Sequence, residues 1–185
     1  MPRLFTGLEV PQDITRQLEL LRGGIPNARW IDPQDYHITL RFIGDIDEAT
    51  ARHIAELLCE VHLPAFTLKL AGIDWFGGAR PHSVHARVLP SKELNALQQA
   101  HERVCQMAGL KPENRRFIPH VTLARCKGAP LAAVRAYASA HGLFSAGPFA
   151  VNRFVLYSAR PSRGGGPYVV EQAYPLMPAR EEEEP

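Results

Sequence analysis

The chain has 185 residues, 45 % of them hydrophobic and 22 % charged, with a formal net charge of +2. This is the composition of a soluble globular chain of one-domain length, and it excludes disordered, collagenous and coiled-coil proteins. The charge includes Glu181 to Glu184, which read as a disordered acidic tail over residues 181–185. Without them the body, residues 1–180, stands at +6, which suits an anionic ligand but not a protein that coats nucleic acid.

In chain order, Leu4–Val10 reads as a strand. Pro11-Gln12-Asp13 opens a helix that runs to Gly23-Gly24. Trp30–Pro33 reads as a short strand or turn, and Tyr36–Ile43 as a strand closed by a turn at Gly44-Asp45. Ile54, Leu57 and Leu58 give Glu48–Cys59 helical spacing. Phe66–Leu70 and Ser83–Val88 are strands, and Ser91 caps a helix that continues to about Met107. Phe117–Ala124 is a strand, Leu131–His141 a helix, and Phe149–Tyr157 and Tyr168–Tyr174 are strands. The order has no strict strand–helix rhythm, so the expected class is α+β with mainly antiparallel sheet. No apolar run is long enough for a membrane helix, and the first residues have no secretory pattern. Cys59, Cys105 and Cys126 make no CxxC pair and no even disulfide framework, so the expected compartment is a reducing cytoplasm.

One internal echo stands out. His37-Ile38-Thr39-Leu40 recurs 83 residues later as His120-Val121-Thr122-Leu123. Two such copies arise by accident in on the order of one in ten thousand chains of this composition. On a strand, residues i and i+2 share a face. His37 and Thr39 therefore project together, as do His120 and Thr122, while Ile38, Leu40, Val121 and Leu123 face a core. Two similar halves related by an approximate two-fold would bring both His-Thr pairs to one groove. Two imidazoles can supply a base and an acid in one displacement, and threonine hydroxyls can donate to anionic oxygens. That equipment suits in-line transfer at phosphorus without a metal or another cofactor.

The paired motifs resemble those of the two-histidine (2H) phosphoesterases. Within that group the chain is similar to the RNA 2′,3′-cyclic phosphodiesterases, also called 2′-5′ RNA ligases. The resemblance runs through Arg3–Pro11, Trp30–Gly44, Leu68–Phe76, Arg116–Arg125 and Phe154–Arg160. It implies a single bilobal domain over residues 1–180, with related lobes and a groove between them. It also implies that His37 is the proton donor and His120 the proton acceptor, with Thr39 and Thr122 holding the non-bridging oxygens. The implied substrate is an RNA end with a 2′,3′-cyclic phosphate, opened to a 2′-phosphate. A 5′-hydroxyl RNA in place of water would give a 2′-5′ linkage.

Arg125 is the expected phosphate clamp, although simple alternation puts it opposite His120, so a bulge or the strand end must turn it inward. Arg41 shares the face of His37 by alternation. Tyr36, Phe42, Trp75 and Phe76 are candidates to stack a base. His82 and His85 point to opposite faces and make no metal site. Cys126 reads as a buried thiol, and Arg163–Pro167 as a rim loop without the Lys-Ser/Thr of a nucleotide-triphosphate loop. His53, His62, His101 and His141 read as surface residues. The expected protein is a monomer with no membrane and no obligate protein partner. Alternative readings are a phosphodiesterase for a small cyclic phosphate such as ADP-ribose 1″,2″-cyclic phosphate, a non-catalytic RNA-end-binding module, and a metal-dependent nuclease.

Overall fold

In the computed structural model, residues 3–159 and 167–179 are described. The tail at 181–185 and most of the Arg163–Pro167 segment lie outside the described residues, as does Arg160. Among the described residues nine strands and four helices follow one another: β1 (Arg3–Glu9), α1 (Gln12–Glu19), β2 (Arg29–Trp30), β3 (His37–Asp45), α2 (Glu48–Leu58), β4 (Phe66–Phe76), β5 (Ser83–Val88), α3 (Lys92–Met107), β6 (His120–Arg125), α4 (Leu131–Ala140), β7 (Ser145–Val151), β8 (Arg153–Ala159) and β9 (Tyr168–Pro175). A single 3-10 turn, Pro33–Asp35, precedes β3. The fold is α+β, and every pairing between these strands is antiparallel. No described helix is long and apolar enough to cross a membrane.

The strands form one sheet in the order β7-β4-β5-β6-β3-β1-β8-β9, with β2 added beside β6. That order is symmetric about its middle: β3 matches β6, β1 matches β5, β8 matches β4 and β9 matches β7. The two halves meet at a single backbone pairing, Ile38 with Val121. Helix α3 packs on β3 with α2 against it, while α4 packs on β4 and α1 on β7. Ile38, Val121 and Leu123 are fully buried on this helix side. Each contributes about 1.5–3 kcal/mol by leaving water, which fixes the face on which the alternate residues must stand.

Several boundaries differ from the sequence reading. Gly44-Asp45 continue β3, with Asp45 paired to Arg3, instead of making a turn. β4 runs on to Phe76 because the shift in its pairing with β5 between Leu70 and Ile73, with Gly72 at φ +83, interrupts its alternation without ending the strand. The segment Phe149–Tyr157 is not one strand. It breaks at Asn152, and the chain passes from one half of the sheet to the other. α1 stops at Glu19, before the glycines. α2 and α3 start on side-chain caps, Asp47 accepting from the N–H of Thr50 and Ser91 from that of Leu94.

His101 is a further correction: it is fully buried in α3. It shares a 2.7 Å hydrogen bond between Nδ1 and the hydroxyl of Thr6, and packs edge-on against Phe154. Burial pushes its imidazole down to about 3, and those of His37 and His85 to about 4. An unfolded histidine titrates near 6.5, so below that pH the unfolded chain binds protons that the native protein refuses. Stability is therefore complete above about pH 6.5 and falls by about 1.4 kcal/mol per pH unit for each such group as pH drops toward 4. Urea unfolding across pH 4–7 is expected to show this loss, and His101→Gln is expected to reduce its slope by about one proton's share. A pH-independent midpoint would contradict the burial argument.

Candidate active site

Each histidine is oriented by the chain just before it. Asp32 caps the 3-10 turn by accepting from the N–H of Gln34, and Pro33 fits the turn's first position. The turn leaves the carbonyl of Asp35 2.8 Å from Nδ1 of His37. In the second half, the carbonyl of Ile118 lies 2.6 Å from Nδ1 of His120. A carbonyl can only accept, so each Nδ1 carries the hydrogen. Each Nε2 is then the basic nitrogen of the neutral ring. Nε2 of His37 meets the hydroxyl of Thr39 at 3.0 Å.

The pairing of Ile38 with Val121 sets the four polar residues in order. In antiparallel register it puts His37 across from Thr122 and Thr39 across from His120. The two His-x-Thr pairs thus converge from the two central strands on the face away from the helices.

Both motifs are followed by the same irregularity. The register of β1 against β3 shifts between Thr6 and Gly7, opposite Leu40. That of β5 against β6 shifts between Val84 and His85, opposite Leu123. An extra residue in one strand reverses the alternation beyond it. Leu40 and Arg41 are both buried and Phe42 is exposed; Leu123 and Ala124 are both buried and Arg125 is exposed. The bulge that the sequence reading required for Arg125 is present. The matching bulge overturns the expectation for Arg41, whose guanidinium is 7 % exposed and held by Glu102 and by the carbonyls of Phe42 and Lys111. Arg41 is a tie between β3, α3 and the segment leading to the second motif, with each guanidinium nitrogen engaged inside the protein. Gly7 stands opposite the first bulge, where an added Cβ would meet the carbonyl oxygen of Ile38 at 2.7 Å.

Phe42 is 52 % exposed and touches Phe5, so one face of its ring is open to the groove. Tyr36 is 4 % exposed and sits in the core, which overturns its expected role in stacking a base. Trp75 donates its indole N–H to the carbonyl of Gly78, and Phe76 packs edge-on against His120 at 4.8 Å.

The surroundings of the histidines include residues that the motif reading passed over. His37 is ringed by Phe5, Tyr157 and Tyr168 at 5.0, 5.6 and 4.9 Å. The carboxylate of Asp35 accepts from the backbone N–H of Tyr168, securing the start of β9 beside His37. His85 is buried, stacks on Phe76 at 4.3 Å and lies 4.9 Å from His120. Its position was signalled by Val84, Ala86 and Val88, whose apolar alternation leaves His85 and Arg87 on the other face. Burial is the largest cause of the low proton affinity of both motif histidines. The carbonyls of Asp35 and Ile118 oppose it, while the charge of Arg125 reinforces it at both rings and that of His120 at His37. Arg125 therefore acts electrostatically on both. Cys126 is fully buried and its thiol is pushed up by burial, so it is a packing residue. Among the described residues no group of three His, Cys, Asp or Glu is arranged to hold a metal ion.

A family model described as the 2′-5′ RNA ligase superfamily matches residues 10–163. Among curated relatives, an RNA 2′,3′-cyclic phosphodiesterase of Bacillus subtilis is 32 % identical over 130 residues, covering 67 % of this chain and 71 % of that protein. Another, from Aquifex aeolicus, is 30 % identical over 177 residues, covering 90 % and 89 %. Among solved structures, Escherichia coli LigT complexed with 3′-AMP superposes with a TM-score of 0.75 at 24 % identity, over 95 % of this chain and 99 % of that one. A protein of Thermus thermophilus gives a TM-score of 0.77 at 19 % identity, over 96 % and 100 %. At these identities the structural likeness speaks for the fold.

The buried guanidinium of Arg41 makes a stability prediction. Arg41→Met leaves Glu102 and two carbonyls without their donor and is expected to cost about 3 kcal/mol. At a temperature where the variant is folded, its KM for substrate is expected to match wild type. A KM raised tenfold in folded protein would return Arg41 to the groove.

Proposed function

This chain belongs to the 2′-5′ RNA ligase superfamily, and on that basis we propose that it hydrolyses RNA 2′,3′-cyclic phosphate ends to 2′-phosphates by metal-independent two-histidine catalysis. The observation that carries this reading is the matched pair of imidazoles. Each has Nδ1 fixed by a carbonyl two residues earlier, and the two stand on paired strands with a threonine two residues on. In the proposed reaction, Nε2 of His120 takes a proton from water as its oxygen attacks phosphorus. The bond from phosphorus to the 3′ oxygen breaks, and His37 delivers a proton from Nε2 to that oxygen. Thr39 and Thr122 donate to the non-bridging oxygens, and Arg125 balances their charge. The open face of Phe42, which lies toward the side from which the attacking group enters, is offered to a base when a second RNA takes the place of water.

The same geometry accepts a 5′-hydroxyl in place of water, which supports 2′-5′ ligation as a minor, reversible outcome. The proposed enzyme acts on RNA ends as one bilobal domain, monomeric, without a protein partner, in a reducing cytoplasm.

Burial keeps both imidazoles neutral in the free protein at neutral pH. A bound cyclic phosphate adds a negative charge beside His37, which raises its affinity for the proton that it must donate. kcat/KM reports the free protein, so it is expected to fall as pH rises from about 6 to about 8, while kcat holds to higher pH. Coincident profiles for the two constants would count against His37 as the acid.

The decisive assay incubates a short RNA ending in a 2′,3′-cyclic phosphate with the protein and EDTA. Wild type is expected to yield a 2′-phosphate. His37→Ala and His120→Ala are each expected to lose at least about a hundredfold in kcat while remaining folded. A 3′-phosphate product would reverse the leaving oxygen, and loss of activity in EDTA would show a metal requirement.

A further inference from the structure

The two-fold match between the halves is broken beside each histidine. Glu9 is the backbone partner of His37 in β1, and Arg87 is the backbone partner of His120 in β5. These positions correspond, yet one holds a carboxylate and the other a guanidinium. Period two along β5 puts Arg87 on the face of His85, which packs against His120. Arg87 is exposed and has no hydrogen-bond or ion-pair partner among the described residues. Its side chain runs over Gly72 of β4, with Cδ and Nη1 at 3.6 and 4.0 Å from where a Cβ would stand. Asp74 on the neighbouring strand accepts from the N–H of Trp75, makes no ion pair with Arg87, and lends its negative charge to His85. Glu9, by contrast, is held by Arg153 through two hydrogen bonds of 2.7 and 2.8 Å. The groove therefore has an exposed guanidinium outside any ion pair beside His120, whereas the carboxylate beside His37 is already matched by Arg153.

The guanidinium without an ion-pair partner stands at the His120 end. Register from the Ile38–Val121 pairing carries Phe42 toward the start of β6, where Ile118 is 48 % exposed. An open aromatic face, an apolar side chain and a free guanidinium thus accompany the histidine that activates the nucleophile. We propose that Arg87 binds the first internucleotide phosphate of a 5′-hydroxyl RNA acceptor, making this end the subsite for the incoming strand in 2′-5′ ligation. The inference rests on the reading of His120 as the base. In this step His120 takes the proton of the 5′-hydroxyl and the 5′ oxygen bonds to phosphorus. The bond from phosphorus to the 3′ oxygen breaks, and His37 protonates the 3′ oxygen. The products are a 2′-5′ phosphodiester and a free 3′-hydroxyl, so no co-reactant is consumed. Hydrolysis uses water at the same place and has no need of Arg87.

The test gives wild type, Arg87→Gln and Arg87→Lys an RNA ending in a 2′,3′-cyclic phosphate together with an excess acceptor. The acceptor is either a 5′-hydroxyl dinucleotide, which carries the phosphate, or a nucleoside, which does not. Arg87→Gln is expected to lower the ratio of ligation to hydrolysis about tenfold with the dinucleotide, with hydrolysis within about twofold of wild type. Arg87→Lys is expected to recover part of the ratio, and the nucleoside is expected to show no dependence on residue 87. Raising salt is expected to lower the wild-type ratio more steeply than that of Arg87→Gln. An unchanged ratio, or ligation and hydrolysis falling together, overturns the subsite. Wild type that hydrolyses but never joins the dinucleotide overturns the subsite alone. Wild type that does neither overturns the hydrolase reading and the subsite with it.

Discussion

The two halves of this sheet touch through one backbone pairing, Ile38 with Val121, and the geometry of the groove follows from it. Both residues are fully buried. A slip of one residue at this seam would move them to the open face and turn the histidines and threonines into the core. The core therefore protects the register, and the register assembles the site. The same side chains that hold the halves together through desolvation decide where the imidazoles stand.

The bulges beyond the motifs add a second layer of control. Without them, Arg41 would face the groove and Arg125 the core. With them, Arg125 joins the groove, and Arg41 is buried against Glu102 and clasps the segment leading to the second motif. One backbone device, used twice, delivers a cation on one side and the aromatic ring of Phe42 on the other. The fold repeats itself, but the residues placed at matching positions differ, and an asymmetric reaction needs that difference. Gly7 facing Thr39 and His85 facing Thr122 continue the same contrast.

Burial links the chemistry to stability. His37, His85 and His101 are packed among apolar and aromatic groups that disfavour their charged forms. For His101 this is a matter of folding alone, since its partner is the hydroxyl of Thr6. For His37, in the reaction proposed above, it means that the ring holds its proton only when an anion shares the groove, which would tie protonation to substrate.

Much was legible in the sequence because it was written in local patterns. The repeated His-x-Thr-Leu, its alternation and the capped helices follow from period and propensity, so the α+β class, the four motif residues and most elements could be read directly. The residues around them could not. Tyr36 and Arg41 sit next to the motifs in sequence, but a core contact and a bulge remove them from the groove. His85 and Tyr168 come from other segments and reach the histidines only through strand pairing. The split at Asn152 is invisible to a reading of apolar runs, because its two strands belong to different halves of one sheet. The sequence by itself determined which groups can exchange protons and which face each strand buries, since both depend on neighbours one or two residues away. Only the tertiary structure decided which of those groups meet, where alternation reverses and which charges remain unpaired, because each depends on pairings between residues far apart in the chain.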